Sequence, residues 1–251
     1  MPSQLKKLPI IMTIWEANRV ETIYNYKNFD LNEGFKKNFG TLMKVGTFMP
    51  THFTLQNLHG QSIATGDLVG KKAIIETASM SCPNYFKNIE SMLELERQHP
   101  EYDFYVLYVR EEHPGENFPS HQSLSQKAAC AKKMNSQDSR TILIDDVAGT
   151  LHRYMGAYPN SLYVVDHKGK VVFARYWNQP DELEIHLSGL VVTDSNDAPS
   201  TTEPTPIQTT TLLKTLFRSG AQATVNYVSS LPKILKQKNE EKSVNCKAKH
   251  L

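Results

Sequence analysis

A short apolar run, Ala73-Ile74-Ile75, gives way to small polar residues and then to Cys82-Pro83. After it, apolar side chains return at Phe86, Ile89, Met92, Leu93 and Leu95. The first part has the content of a buried strand and the second the near-3.6-residue period of an amphipathic helix. Proline suits the first turn of a helix, where its missing N–H would have had no partner. The segment therefore predicts a strand, a tight loop and a helix opening at Pro83, with Cys82 at the junction. A thiol there faces free backbone N–H groups and the positive end of the helix dipole. Both favour the thiolate and lower the pKa below its usual ~8.5, so the expectation is a reactive cysteine.

At 251 residues the chain can form one well-buried domain with extensions, or two small ones. A net charge of +2 gives no sign of nucleic-acid binding. The three cysteines, 82, 130 and 246, are too far apart in sequence for a disulfide framework or a metal-ligand cluster, so no metal is expected. That usage fits a reducing compartment and a cytoplasmic location. No apolar run approaches the roughly 20 residues of a membrane span. Leu8 to Trp15, after Lys6-Lys7, has the basic flank of a signal peptide, but its core is short and no small-residue cleavage site follows cleanly.

Along the chain, residues 1–44 read as an N-terminal arm with one or two short helices. Its aromatics (Tyr24, Tyr26, Phe29, Phe35, Phe39) show no sustained period. Residues 45–191 read as the domain proper. Phe53 to Ile63 alternates in polarity and turns at His59-Gly60, a hairpin signal. Tyr102 to Val109 is a central parallel strand, Leu124 to Met134 a helix and Thr141 to Asp146 a third buried strand. A short helix spans Leu151 to Met155. A second hairpin, Ser161–Val165 and Val171–Tyr176, turns at Asp166–Lys170, and a last helix runs from about Pro180 to Leu190. Residues 192–211, rich in Thr, Ser and Pro, read as a disordered linker, and 212–251 as a helical segment with a charged tail. The order is an α/β sandwich around a central mixed sheet, with helices flanking it. Ligands of open α/β sheets bind beyond the carboxyl ends of the strands. That puts Glu111 and His113, after Tyr108, beside Cys82 if the two strands are neighbours.

Four segments, in matching order and spacing, carry a family resemblance. Ala78-Ser79-Met80-Ser81-Cys82-Pro83 is similar to the Gly-Ser-Cys-Thr-Sec-Pro motif of the iodothyronine deiodinases. Tyr108-Val109-Arg110-Glu111-Glu112-His113 resembles their Tyr-Ile-Glu-Glu-Ala-His, His121-Gln122-Ser123-Leu124 their His-Arg-Ser-Leu, and Gly156 to Val164 their Gly-Ala-Tyr-Phe-Glu-Arg-Leu-Tyr-Val. Residues 45–190 thus resemble the deiodinase family, particularly its soluble bacterial-type relatives, within the thioredoxin-like superfamily. The fold implied is thioredoxin-like, with Pro159 at the place of the superfamily's cis-proline. Sulfur stands in place of selenium at Cys82. Met80 replaces the auxiliary cysteine, and Ser161 replaces an arginine near the hormone site.

What the resemblance implies is an oxidoreductase with Cys82 as nucleophile, attacking the iodine of an iodoarene or the oxygen of a hydroperoxide. His113 and His121 are the candidate proton donors, because the step needs a group titrating near neutrality. Glu111 would orient one of them, and Ser79 and Ser81 would hydrogen-bond the thiolate. No bound cofactor is implied. Cys130, among alanines on its helix, reads as a packing residue, so an external thiol, glutathione or thioredoxin, is the reductant; a homodimer is compatible with this. Two alternatives stand beside it. One is a peroxiredoxin-like thiol peroxidase, for which Ser79-x-x-Cys82 has the right spacing and Arg175 is available. The other is a redox-inactive binding domain on the same scaffold.

Overall fold

The computed structural model describes residues 24–29, 40–189, 206–232 and 236. The rest of the arm with Leu8 to Trp15, the linker up to residue 205, and the tail with Cys246 lie outside the described residues.

The hairpin read at His59-Gly60 is β1 (Thr54–Asn57) and β2 (Ser62–Ala64). Its turn uses Gly60 at φ +83° and the Asn57 side chain, whose carbonyl accepts the N–H groups of His59 and Gln61, each at 3.0 Å. Then come β3 (Lys72–Ala78), α1 (Pro83–Gln98), β4 (Tyr102–Tyr108), α2 (Leu124–Met134), β5 (Thr141–Ile144) and the short α3 (Thr150–Tyr154). The second hairpin is β6 (Leu162–Val165) and β7 (Val171–Arg175), followed by α4 (Pro180–Leu187). Beyond the linker, α5 (Thr209–Ser219) begins inside the stretch read as disordered, and residues 221–232 form a further helix.

The seven strands lie in the order β2-β1-β5-β4-β3-β6-β7. Strands β5, β4 and β3 are parallel, and β6 and β1 join them antiparallel on either side. A parallel β3–α1–β4 unit followed by an antiparallel β6–β7 hairpin and a closing helix is the thioredoxin-like arrangement. The fold is thioredoxin-like.

Side chains alternate across the strands, so each face of the sheet packs its own core. On one face Ile74, Ala78, Phe104, Val106 and Ile142 meet α1, α2 and α4. On the other, Ala73, Ile75, Leu107 and Tyr163 meet Leu42, Met49, Leu151 and Trp177. The same alternation sends Glu76 of β3 under α1, fully buried. A carboxylate there needs partners, and it has them. Asn160 and Asn178 each donate to its Oε1 at 2.7 Å, and Arg140 Nη1 stands 2.8 Å from its Oε2, an ion pair too far off line to count as a hydrogen bond. Arg140 is in turn held by Asp138, which also accepts from the Tyr85 hydroxyl of α1 at 2.7 Å.

Candidate functional site

Cys82 is the N-cap of α1, with extended backbone (φ −90°, ψ 111°), and Pro83 fills the first turn as the sequence predicts. Because β3 and β4 pair in parallel with Ala78 opposite Tyr108, the loops that leave their carboxyl ends lie side by side. The Glu111 carboxylate accepts the Ser81 N–H at 2.8 Å. The N–H groups of Glu112 and His113 donate to the hydroxyl oxygens of Ser79 (3.3 Å) and Ser81 (2.9 Å). The two serines, expected at the thiolate, accept these N–H groups and so hold the 111–113 loop against the Cys82 loop, since a bend at the end of a strand leaves backbone N–H groups that need acceptors.

The Cys82 side chain is 1% exposed, within an apolar cluster that includes Met80, Tyr85, Tyr108 and Cys130. Burial pushes its thiol well above the ordinary range and the neighbouring Glu112 carboxylate pushes the same way, while the N–H groups of Tyr85 and Asn84 at the helix start pull it down. The lowered pKa expected from the helix start is therefore corrected. That contribution has the predicted sign, and desolvation of an anion outweighs it.

His113 and His121 part company. The His113 ring packs on Phe29 (centroids 4.3 Å apart) and meets Tyr227 edge-on at 5.5 Å, and its Nδ1 has no partner. Burial holds its pKa down at about 3, so it is neutral at physiological pH and is not the near-neutral acid expected. His121 instead joins a buried cluster. Its Nε2 lies 3.6 Å from Glu111 Oε1 and 3.4 Å from the Tyr108 hydroxyl, and that hydroxyl donates to Glu111. Glu111 thus faces a histidine as expected, and the histidine is His121. Cys130 borders this cluster beside Tyr108, its thiol pushed up to about 11 by burial.

The Tyr158–Pro159 bond, at the place of the superfamily's cis-proline, is trans, as is every peptide bond among the described residues. The bend is made by Gly156 and Ala157, at φ +101° and +59°. It is pinned at the Tyr158 carbonyl, which accepts from Thr77 Oγ1 at 2.9 Å and lies 2.7 Å from His152 Nε2. Arg175 is engaged with Glu182 of α4 and lies over Phe173.

Two segments far away in sequence cover this site. From the arm, the Tyr26 hydroxyl donates to the Glu112 carbonyl at 2.6 Å and to its carboxylate at 3.2 Å; Asn25 bonds both backbone polar groups of His121. From the C-terminal side, the Arg218 guanidinium sits 3.7 Å from the centre of the Phe86 ring. The carboxylate of Glu116 accepts the Gln222 N–H, at 2.9 Å to one oxygen and 3.1 Å to the other, at the start of helix 221–232. Sequence reasoning missed Tyr26, Tyr108 and Glu112 as members of the site. Tyr108 and Glu112 lay inside a segment already singled out, whereas the arm's tyrosines carried no signal.

No family model and no curated protein matches the chain. Solved structures do. The thioredoxin domain of a thiol-disulfide oxidoreductase from Bacteroides vulgatus is 16% identical, with 59% of this chain and 99% of that one covered at a TM-score of 0.45. A secreted disulfide oxidoreductase of Mycobacterium tuberculosis is 17% identical over 55% of this chain and 96% of that one, at 0.42. An uncharacterized conserved protein from Geobacillus kaustophilus is 15% identical over 64% and 88%, at 0.48. These are likenesses of fold.

Proposed function

We propose that the protein is a thiol oxidoreductase of deiodinase-like type, with Cys82 as nucleophile and an external thiol, glutathione or thioredoxin, as reductant. The observation that carries this reading is the place of the thiol. It sits at the start of α1, at the carboxyl end of the parallel strands, on a loop tied through Ser81 to the buried Glu111–Tyr108–His121 cluster. While the arm and C-terminal helices are docked, burial keeps the sulfur protonated. Opening them would restore solvation and leave the helix-start N–H groups to favour the thiolate.

In the reaction the Cys82 thiolate bonds to the iodine of an iodoarene as the carbon–iodine bond breaks, and the carbon takes a proton from the His121–Tyr108–Glu111 cluster. One reductant thiol then displaces iodide from sulfur to give a mixed disulfide, and a second releases Cys82. In sum one iodoarene and two thiols give the arene, a disulfide and hydrogen iodide. His113, neutral and ringed by aromatics, acts as a wall of the site. Cys82 and Cys130 are both free thiols, which suits a reducing compartment.

The deep burial of Cys82 favours a second reading, a redox-inactive binding domain. Incubation with glutathione and either diiodotyrosine or a hydroperoxide separates the readings. Iodide release that disappears in Cys82→Ser supports the proposal, and peroxide consumption alone would move the assignment to a thiol peroxidase. No turnover with either substrate leaves the binding domain.

A further inference from the structure

Two arginines are fully buried among the described residues, and one of them has no carboxylate in contact. Arg140, 1% exposed, is hydrogen-bonded to Asp138 through Nε (3.0 Å) and Nη2 (2.6 Å) and ion-paired with Glu76. Arg110, 2% exposed, forms no ion pair with a carboxylate among the described residues. Its Nη1 donates to the Tyr24 carbonyl at 3.1 Å, its Nη2 reaches the Ala157 carbonyl only at 3.5 Å, and its Nε has no partner. Over its faces lie the rings of Tyr24 and Tyr26, 4.9 and 5.3 Å from the guanidinium carbon. Cation–π contact and the field of the buried Glu112 carboxylate, which is not in contact, offset part of the cost of burying that charge, but a desolvated guanidinium is matched fully only by an anion that touches it.

The edge left open at Nε is the one it forms with the weakly engaged Nη2, and parallel N–H groups there fit the two oxygens of a carboxylate. It belongs to the residue that directly follows the parallel strand β4 by two positions, where open α/β sheets bind ligands. The side chain that spans the space from Arg110 to Glu112, next to Cys82, comes from the arm. It is Tyr26, with its ring on the guanidinium and its hydroxyl on Glu112.

We propose that Arg110 is the anion-binding group of this site, that residues 24–29 cover it, and that the ligand it takes when they lift is a small organic carboxylate bound at the Nε/Nη2 edge. The proposal deepens the thiol reading by naming the charge of the substrate, and it rests on that reading for the position of the reacting sulfur.

Iodoacetate and iodoacetamide, which differ in charge and hardly in size, report on whether a carboxylate held by Arg110 reaches Cys82. In full-length Tyr26→Ala, with alkylation of Cys82 read by peptide mass spectrometry, the iodoacetate-to-iodoacetamide rate ratio is expected about tenfold above that of glutathione, the size of one charge-assisted contact. Adding Arg110→Met returns the ratio to that of glutathione. Arg110→Lys, which keeps the charge and loses the fork, retains part of it and guards against a variant that merely misfolds. Calorimetric titration with benzoate, which needs no thiol, is expected to show binding to Tyr26→Ala that Arg110→Met abolishes, with benzamide not bound. A ratio equal to that of glutathione in Tyr26→Ala, or benzoate binding that survives Arg110→Met, overturns the proposal. If Cys82 resists both reagents while benzoate binding still depends on Arg110, the thiol reading fails and the anion site stands.

Discussion

At Cys82 two effects of opposite sign meet, and their sizes decide the chemistry. The N–H groups of Asn84 and Tyr85 stabilise a thiolate, while removal from water and the Glu112 carboxylate disfavour it by more. Alkylation of Cys82 in the intact protein is therefore expected to keep rising with pH through the ordinary cysteine range, with no plateau near neutrality; a site-resolved rate-against-pH profile checks this. The position of the cysteine was legible from Pro83 and the helical period, but its protonation was not, because desolvation is set by residues that no local pattern brings near. Glu76 had left a local trace, being a charge inside a strand that should be apolar throughout its interior if buried on both faces. Its pairing with Arg140 was still unreadable, because the two are brought together only by β3 and β5 flanking β4. Arg140→Met leaves Glu76 buried without its cation and is expected to cost about 3–5 kcal/mol in urea unfolding.

Among the elements, those with a strong period matched their predicted bounds. The helix read over Leu124–Met134 is α2 to the residue, with the Ser123 side chain accepting the Gln126 N–H as its cap. Ends set by tertiary contact moved by a residue or more, as at β7, which stops at Arg175. An arm packed on the domain and a helical C-terminal segment were legible, but their place over this site was not. Residues 24–29 and 209–232 reach loop 111–122 across about a hundred positions of sequence, and neither Tyr26 nor Arg218 differs in pattern from an ordinary surface residue. Docking of the C-terminal helices depends on Gly115, where a Cβ would run into the Ser219 carbonyl. Gly115→Ala is expected to weaken that docking by about 1–3 kcal/mol, the cost of an overpacked contact. Amide exchange in 209–232 and alkylation of Cys82 should then both rise roughly tenfold at equal global stability.

For the molecule as a whole, His113 and His152 are buried in neutral form, with pKa values driven below the ordinary histidine range chiefly by burial. Between that range and the folded-state pKa the unfolded chain binds more protons, so stability is full above about pH 6.5 and falls as pH drops below it, by about 1.4 kcal/mol per unit for each histidine. His113→Phe, which keeps a ring between Phe29 and Tyr227, should roughly halve that slope in melts recorded across the acid range. The thioredoxin-like sheet, its Cys82 loop and the two added segments hold a buried, protonated thiol under a cover, and the proposed function has a substrate displace that cover. The measurement that bears most directly on this is a single turnover. Reduced protein freed of thiols receives one equivalent of diiodotyrosine, and each cysteine is then read by mass spectrometry. Loss of the free thiol at Cys82 alone is expected, with Cys130 unchanged and monoiodotyrosine formed in equal amount. A Cys82 that keeps its thiol while the substrate is consumed, or a substrate left intact after the cover has been opened by Tyr26→Ala, would contradict it.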